Sequence, residues 1–491
     1  MTIHPLDPRS WIGGQDVPGT GPEFTLSNPV DGQVLTTYRG ASREQVDEAV
    51  AAARAAFGPW RDLDPFVRGD ILHRLSGLLR EHAEELARLE TTNAGKPIRD
   101  TRVEVAKCAE MFSYYAGLTT RLWGDVVQVP GPWTTYAERE SLGVIAIFTP
   151  WNAPLFTASW NCAAALACGN SVVLKPSEFT PLTSLRLAEL AEQAGVPAGV
   201  LNVVIGEGSV TGDALVSRGD IDKLSFIGSV GVGRQVASTA AARGVPALLE
   251  LGGKSAFIVF PDADLAAAAR GAVNAIFSNA GQSCTAGSRL LAHASVAAEL
   301  SDLVCRMAEQ LRVGDPLDPQ TEIGPIANRR QFERIQALVD QGLSRGARRG
   351  TSPDVPAGLA PGGNWMTPTV LLDAQPDNPV VTEEIFGPVL TVVPFEDEDE
   401  AVALANDAGF GLAGAVWTGS VERAHRVAHR LRAGTVWINA YKAIHVAAPF
   451  GGFGISGWGR SSGPDVLHEY TAARVVWIPR EPYRGNFESI W

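Results

Sequence analysis

From about residue 142 the chain alternates short apolar, β-rich runs with helical patterns, and no other feature restricts its fold as much. Strands are predicted over 144–149, 171–175, 201–205, 223–227 and 247–251. Each is apolar along most of its length, not only at every second residue, as strands covered on both faces are. One intervening helix is expected to begin at Thr180-Pro181, an N-cap followed by proline at the first helical position, and to stop at Gly195. Such β-α-β units build a parallel, doubly wound sheet. After Lys254 a second alternation begins, with strands predicted over 257–260, 389–394 and 436–439. The expected fold class is therefore α/β, with two doubly wound domains, the first Rossmann-like.

Upstream, Ser42-Arg43-Glu44-Gln45 is a capping box, and Val46, Val50, Ala53 and Phe57 follow on one helical face. Gly58-Pro59 is expected to end that helix. The leucines between Ile71 and Leu89 predict a second amphipathic helix. Two β-rich excursions, 126–141 and 473–479, fall outside both alternations. Isolated ribbons are marginally stable, so these are expected to add to a partner subunit's sheet.

Length and charge narrow the function. A chain of 491 residues suffices for two to four domains with real cores. The net charge of −13 comes without a basic run, which argues against nucleic acid and against anionic membrane surfaces. Five cysteines (Cys108, Cys162, Cys168, Cys284 and Cys305) show no metal-ligand spacing, and the eight histidines form no metal motif, so no metal site is expected. Reduced thiols and the absence of a signal-like start at Met1 to Gly14 predict a cytoplasmic protein. The longest apolar stretch, 142–156, is broken by Pro150, Asn152 and Pro154 and is too short for a bilayer.

Two fragments carry chemistry: Gly281-Gln282-Ser283-Cys284-Thr285-Ala286-Gly287 and Leu249-Glu250-Leu251-Gly252-Gly253-Lys254. A cysteine among small residues is the layout of a thiol nucleophile, which splits one hard step into two through a covalent intermediate. Helix N-terminal amides or a nearby cation would lower its pKa below the free value of about 8.5. Glu250 follows an apolar run, where partial burial would raise its pKa toward working pH and suit it as a base. The other four cysteines read as small buried hydrophobes.

Together with Pro150-Trp151-Asn152-Ala153-Pro154, Lys175-Pro176-Ser177-Glu178, Phe226-Ile227-Gly228-Ser229, Glu383-Glu384-Ile385-Phe386-Gly387-Pro388 and Pro449-Phe450-Gly451-Gly452, these fragments resemble the aldehyde dehydrogenase superfamily over nearly the whole chain. The resemblance implies an NAD-binding domain (1–124 and 144–252), a catalytic domain (253–465) and oligomerisation segments (125–143 and 466–491), in a homodimer or homotetramer. It implies oxidation of an aldehyde to its acid, with Cys284 as nucleophile, Glu250 activating water, and Asn152 with the Cys284 amide holding the oxyanion. Relatives that pass the acyl group to coenzyme A typically lack an acid at the Glu250 position, so hydrolysis is expected. The alternatives are a coenzyme A-acylating enzyme and a catalytically silent binding protein on the same fold.

By the same resemblance the coenzyme lies against Thr149, Trp151, Lys175, Ser177, Glu178, Gly208, Gly212, Phe226, Gly228, Ser229, Leu251, Glu384 and Phe386. Gly228-Ser229-Val230-Gly231-Val232-Gly233 follows a strand and opens a helix, so its amides suit pyrophosphate. A carboxylate at Glu178 accepts from a ribose 2′-hydroxyl and repels a 2′-phosphate, which favours NAD over NADP. The aldehyde tunnel maps to Phe156, Trp160, Ser283, Thr285, Tyr441 and Phe450, several of them aromatic, which suits an apolar or aromatic aldehyde. Lys442 and His445 leave a carboxylate-bearing semialdehyde open. Three positions depart from the family pattern: Asn161 where lysine is usual, Ala164 where proline is common, and Ser461 where glutamate is frequent. The Asn161 departure is expected to touch proton traffic or coenzyme position.

Overall fold

The structure is a computed structural model, and it describes residues 7–482; the parts of the predicted segments at 1–6 and 483–491 lie outside the described residues. All five strands predicted in the first alternation are present, as Val144–Phe148, Ser171–Lys175, Leu201–Val203, Lys223–Ile227 and Ala247–Glu250. They run parallel side by side, and 144–148 lies between 223–227 and 171–175. Short antiparallel strands extend both edges, Gly457–Trp458 on one side and Ser10–Ile12 with Gln15–Val17 on the other. The central strands are buried along their length, as their unbroken apolar runs require.

The second sheet has seven strands in the order Arg348–Arg349, Thr369–Leu372, Val389–Phe395, Arg289–His293, Ala256–Val259, Ala413–Trp417 and Thr435–Ile438. All its pairings are parallel except the first. Three of the central strands, at 289–293, 369–372 and 413–417, were not predicted. Residues 413–417 read Ala-Gly-Ala-Val-Trp, and 289–293 are framed by Arg289 and His293. Neither carries a long β-branched run, and neighbours on both sides make them strands.

Two helix predictions are corrected. Gly58-Pro59 does not end the first helix, which runs Arg43–Arg61 with proline inside it. Trp60 lies completely buried, and its indole N–H donates to the Leu166 carbonyl at 3.2 Å. Burying a tryptophan is worth about 3–5 kcal/mol against truncation, on the scale of the roughly 3 kcal/mol that interior proline costs. The leucines of 71–89 span two helices, Pro65–Glu81 and Ala83–Ala94, divided at His82. The capping box forms as expected: Ser42 Oγ accepts from the Gln45 amide at 3.3 Å, and the Gln45 side chain accepts from the Ser42 amide at 3.1 Å. The helix predicted from Thr180-Pro181 begins one residue later, as Leu182–Ala194, with no side-chain cap. It stops where expected, at a left-handed Gly195.

The two β-rich excursions find each other within one chain. Trp133–Ser141 pairs antiparallel with Thr471–Pro479 on one side and Asp125–Val127 on the other. Val126, Val475, Trp477 and Ile478 remain exposed on this small sheet. Among the described residues no helix is long and apolar enough to cross a membrane.

Candidate active site

The carboxyl ends of the first sheet set the stage. Leu249 lies beside Phe226, Phe226 beside Phe148, and Phe148 beside Lys175, so four strand ends finish level. Connections leave the 144–148 strand and its neighbour at 223–227 toward opposite sides, which opens the crevice where ligands bind in such sheets. Thr149, Trp151 and Asn152 leave directly from this point, and the fully buried alanine-rich part of helix Pro154–Ala167 anchors the loop from behind.

Cys284 sits in a turn fed by three successive left-handed residues, Asn279, Ala280 and Gly281, with φ of 54°, 51° and 70°. At Gly281 glycine is required twice, by its φ and because a Cβ would fall 1.9 Å from the Gly387 carbonyl oxygen. Strain of this kind persists where surrounding structure holds it. Here the Asn279 amide donates to the carbonyls of Asn152 and Gln282, at 3.1 and 3.0 Å. The Asn152 amide also donates to the Gln282 carbonyl, at 2.9 Å. Nucleophile loop and candidate oxyanion donor are thus bound to one another.

Glu250 ends its strand 4% exposed. One carboxyl oxygen accepts from Ser461 Oγ at 3.3 Å, and the other has no protein partner. Burial pushes its pKa well above the ordinary carboxylate value, against smaller opposing effects of Ser461 and Arg460. The expectation for Cys284 is corrected: its pKa is not lowered but pushed up to about 12, by burial first and then by the charges of Glu250 and Glu384. The thiol therefore needs a base, and Glu250 is near enough for its charge to act on it. The chain passes between the two acids at Gly252 and Gly253. A Cβ at Gly252 would fall 2.2 Å from the Glu384 carboxylate, and one at Gly253 would fall 2.5 Å from the Cys284 carbonyl.

The residues predicted to meet the coenzyme stand at or just after strand ends of the first sheet, with Glu384 and Phe386 in the loop before strand Val389–Phe395. Lys175 is buried and pairs with Glu178 at 3.2 Å. Ser177 Oγ accepts from the Phe179 amide at 3.3 Å. Thr149 carries a buried hydroxyl without a partner among the described residues, and a Cβ at Gly212 would fall 3.3 Å from the Phe148 ring and 3.9 Å from the Lys175 side chain. Gly208 begins the turn that ends at Gly212, with open space where a side chain would stand. Ser229 caps helix Val230–Ala242, and the Gly228 amide donates to the Glu250 carbonyl at 3.1 Å. Leu251 is buried, its amide donating to Ser456. Glu384 accepts from the Gly253 amide at 2.9 Å. Phe386 holds a φ of 59° and meets the Trp151 ring edge-on at 5.3 Å.

Among the residues predicted for the aldehyde tunnel, Phe156 stacks on Trp160 at 5.3 Å, and Phe450 meets Trp160 edge-on at 5.9 Å. The Trp160 indole donates to Ser461 Oγ at 2.9 Å, which links this aromatic wall to Glu250. Across the site Ser283 and Thr285 share a hydroxyl contact of 3.2 Å, and Tyr441 OH donates to the Thr285 carbonyl at 2.9 Å.

Asn161 is bonded at both ends of its amide: its oxygen accepts from Ser225 and Tyr470, at 2.8 and 3.1 Å, and its nitrogen donates to the Thr157 carbonyl. It joins helix, sheet and C-terminal segment. Ala164 is buried in the same helix. Sequence reasoning missed the supports altogether. Gln282 and Asn279 brace the cysteine loop, while Gln331 and Arg334 hold the carbonyls of Glu384, Ile385 and Phe386. Nothing in their local sequence marks them, because they act through main-chain carbonyls brought close by folding.

Residues 17–476 match the sequence profile of the Aldehyde dehydrogenase family. The chain belongs to that family. DhaS of Bacillus subtilis is 42% identical over 477 residues, 96% of each chain. Betaine aldehyde dehydrogenase of the same organism is 40% identical over 469 residues, 94% of this chain and 95% of the relative. Among solved structures, PnpE from Pseudomonas sp. WBC-3 superposes with a TM-score of 0.95 at 40% identity, covering 98% of this chain and all of the other, and has been solved with nicotinamide adenine dinucleotide.

Proposed function

We propose that this protein oxidises an aldehyde to its carboxylic acid with NAD, through a covalent intermediate that water releases. The convergence of the Cys284 thiol, the Glu250 carboxyl and the Asn152 amide at one crevice carries this reading. As Cys284 Sγ attacks the carbonyl carbon, its proton passes to Glu250, whose raised pKa matches it to that task. The C–S bond forms and the carbonyl electron pair moves to oxygen. Asn152, with one amide proton engaged by Gln282, offers the other to that oxyanion together with the Cys284 backbone N–H.

NAD, when bound, supplies the acceptor for the hydride. Thr149, Lys175, Ser177, Glu178 and the 228–230 turn would hold its adenosine and pyrophosphate end, and Glu384 and Phe386 its nicotinamide ribose end. The unpartnered Thr149 hydroxyl and the open glycine turns fit such a ligand. Glu178 supports NAD over NADP. Once the thioester stands on Cys284 and Glu250 has given its first proton to solvent, Glu250 takes a proton from the attacking water, the C–S bond breaks, and that proton passes to Sγ to regenerate the thiol. Glu250 favours hydrolysis over transfer to coenzyme A. The aromatic wall suits an apolar or aromatic aldehyde.

The exposed apolar residues of the small sheet suit a homodimer or homotetramer, which light scattering on the purified protein checks. Five free cysteines suit the cytoplasm. The test of the reaction is NADH formation with a panel of aldehydes, with NAD or NADP, with and without coenzyme A. Steady turnover with NAD alone is expected; turnover that requires coenzyme A would overturn the hydrolytic reading.

A further inference from the structure

The helix that follows Asn152 begins without a cap of its own. It starts at Pro154, and Ala153 before it offers no side-chain acceptor to the first turn. Proline has no N–H, so the Leu155 amide is the first that needs a partner from outside the helix. Helix Leu182–Ala194, which follows the Ser177–Glu178 loop, is in the same position, with no side-chain cap at Pro181. Leu155 and Thr183 are both buried, so water does not take the place of the missing caps.

One carboxylate serves both starts. Glu90, on helix Ala83–Ala94, is 2% exposed. A single oxygen of it accepts from the Leu155 amide at 3.3 Å and from the Thr183 hydroxyl at 2.9 Å. Its other oxygen meets the buried Lys96 ammonium at 3.4 Å, and Lys96 also binds Glu104. Three residues further along the same helix, Asn93 donates to the Phe179 carbonyl at 2.9 Å and accepts from the Leu182 amide at 3.5 Å. One short helix thus holds the starts of the two helices that leave the loops of Asn152 and Glu178. A buried ion pair adds little net stability over an apolar pair of the same volume. What Glu90 adds is the placement of those starts.

We propose that Glu90 is a positioning residue for the reaction, fixing the start of helix Pro154–Ala167 and through it the Asn152 amide relative to Cys284. This rests on Asn152 being the oxyanion donor. Glu90 acts only through the Leu155 amide, three residues after Asn152. Without its acceptor that buried amide is left unsatisfied. The first turn then opens toward other partners and draws Asn152 away from the Gln282 carbonyl.

The test compares two double variants, Glu90→Gln with Lys96→Met and Glu90→Met with Lys96→Met. Both lack the ammonium, so neither buries a charge that has lost its partner, and they differ in whether residue 90 carries an acceptor oxygen. Amide hydrogen exchange, read by mass spectrometry, is expected to be faster over 152–160 in the Met variant and equal in the two over helix 230–242. Equal exchange over 152–160 overturns the proposal. With benzaldehyde and NAD, kcat is expected to be about tenfold lower in the Met variant than in the Gln variant. That ratio should vanish when Asn152→Ala is added to both, because the two residues act through one group. A ratio that persists in the Asn152→Ala background overturns the proposal. If the Met variant does not fold, Glu90→Asp keeps the charge, draws the acceptor back by one methylene, and is read against the wild type in the same way. If Asn152→Ala alone leaves kcat unchanged while exchange over 152–160 differs, the oxyanion assignment fails and the role of Glu90 at the helix start stands.

Discussion

The side-chain amide of Asn152 donates to the main-chain carbonyl of Gln282 at 2.9 Å, joining the loop after the first central strand to the loop that carries Cys284. The candidate nucleophile loop and the candidate oxyanion donor are therefore tied together, as preorganised transition-state stabilisation needs. Asn152→Asp keeps the shape, replaces the donor by an acceptor and sets a negative charge beside a carbonyl. kcat is expected to fall by about 10²–10³, while the affinity for NAD, read by fluorescence titration, changes little. A loss confined to KM would mean that Asn152 binds substrate but not the oxyanion.

In the proposed reaction Cys284 carries the covalent bond and Glu250 serves both steps as base, so their variants are told apart by what accumulates. Cys284→Ala is expected to abolish oxidation and to retain NAD binding. Glu250→Gln retains the amide's size without the base. It is expected to slow the first formation of NADH and to limit it to one equivalent, with whatever acyl adduct forms on Cys284 persisting by intact mass spectrometry. Steady turnover in Glu250→Gln would remove Glu250 from the role of base.

Burial raises the pKa of Glu250, and the Ser461 hydroxyl opposes that rise by favouring the charged form. Because the base form is the active one, kcat should climb with pH through a range above that of ordinary carboxylates. In Ser461→Ala the carboxylate loses its single protein donor, its pKa rises further, and the ascending limb of the pH profile moves to higher pH. A profile that keeps its midpoint while losing height would assign Ser461 to the Trp160 contact alone.

Gly281 tolerates neither a side chain nor a right-handed backbone. Gly281→Ala is expected to cost about 1–3 kcal/mol of stability and to displace the cysteine turn. The fall in activity should exceed what the change in thermal unfolding explains, since an error of about 1 Å in a reacting group can cost 10²-fold in rate. Melting curves with kinetics on the same sample check this.

Glu178 pairs with Lys175 at the strand end proposed to meet the adenosine ribose. Glu178→Ala removes the charge that would repel a 2′-phosphate and leaves Lys175 free to attract one. The ratio of kcat/KM for NADP over NAD is expected to rise about tenfold or more, measured with one aldehyde at saturation. A constant ratio would place the discrimination elsewhere.

Much was legible before any coordinates. The strands at 144–148 and 223–227 are unbroken apolar runs, and burial on both faces leaves them few other structures to adopt. Cys284, Glu250 and Asn152 stand in local patterns that resemble one family strongly. Other readings failed because they were local. Gly58-Pro59 looked like a helix stop, but the burial of Trp60, fixed by contacts more than a hundred residues away, carried the helix past it. The Cys284 thiol was expected to be acidic, yet its pKa is set by burial and by two carboxylates from distant loops.

The amino-acid order by itself determined the parallel α/β architecture and singled out the candidate reacting groups, because apolar runs and short motifs act over a few residues. Only the tertiary structure decided their electrostatics. Glu250 became a buried acid with one donor among the described residues, Cys284 a buried thiol beside two carboxylates, and Asn161 a bonded tie between helix and sheet. Each of these depends on which charges and carbonyls come within a few ångströms after folding, and Coulomb and desolvation energies depend on that distance and that enclosure, which no local stretch of sequence encodes.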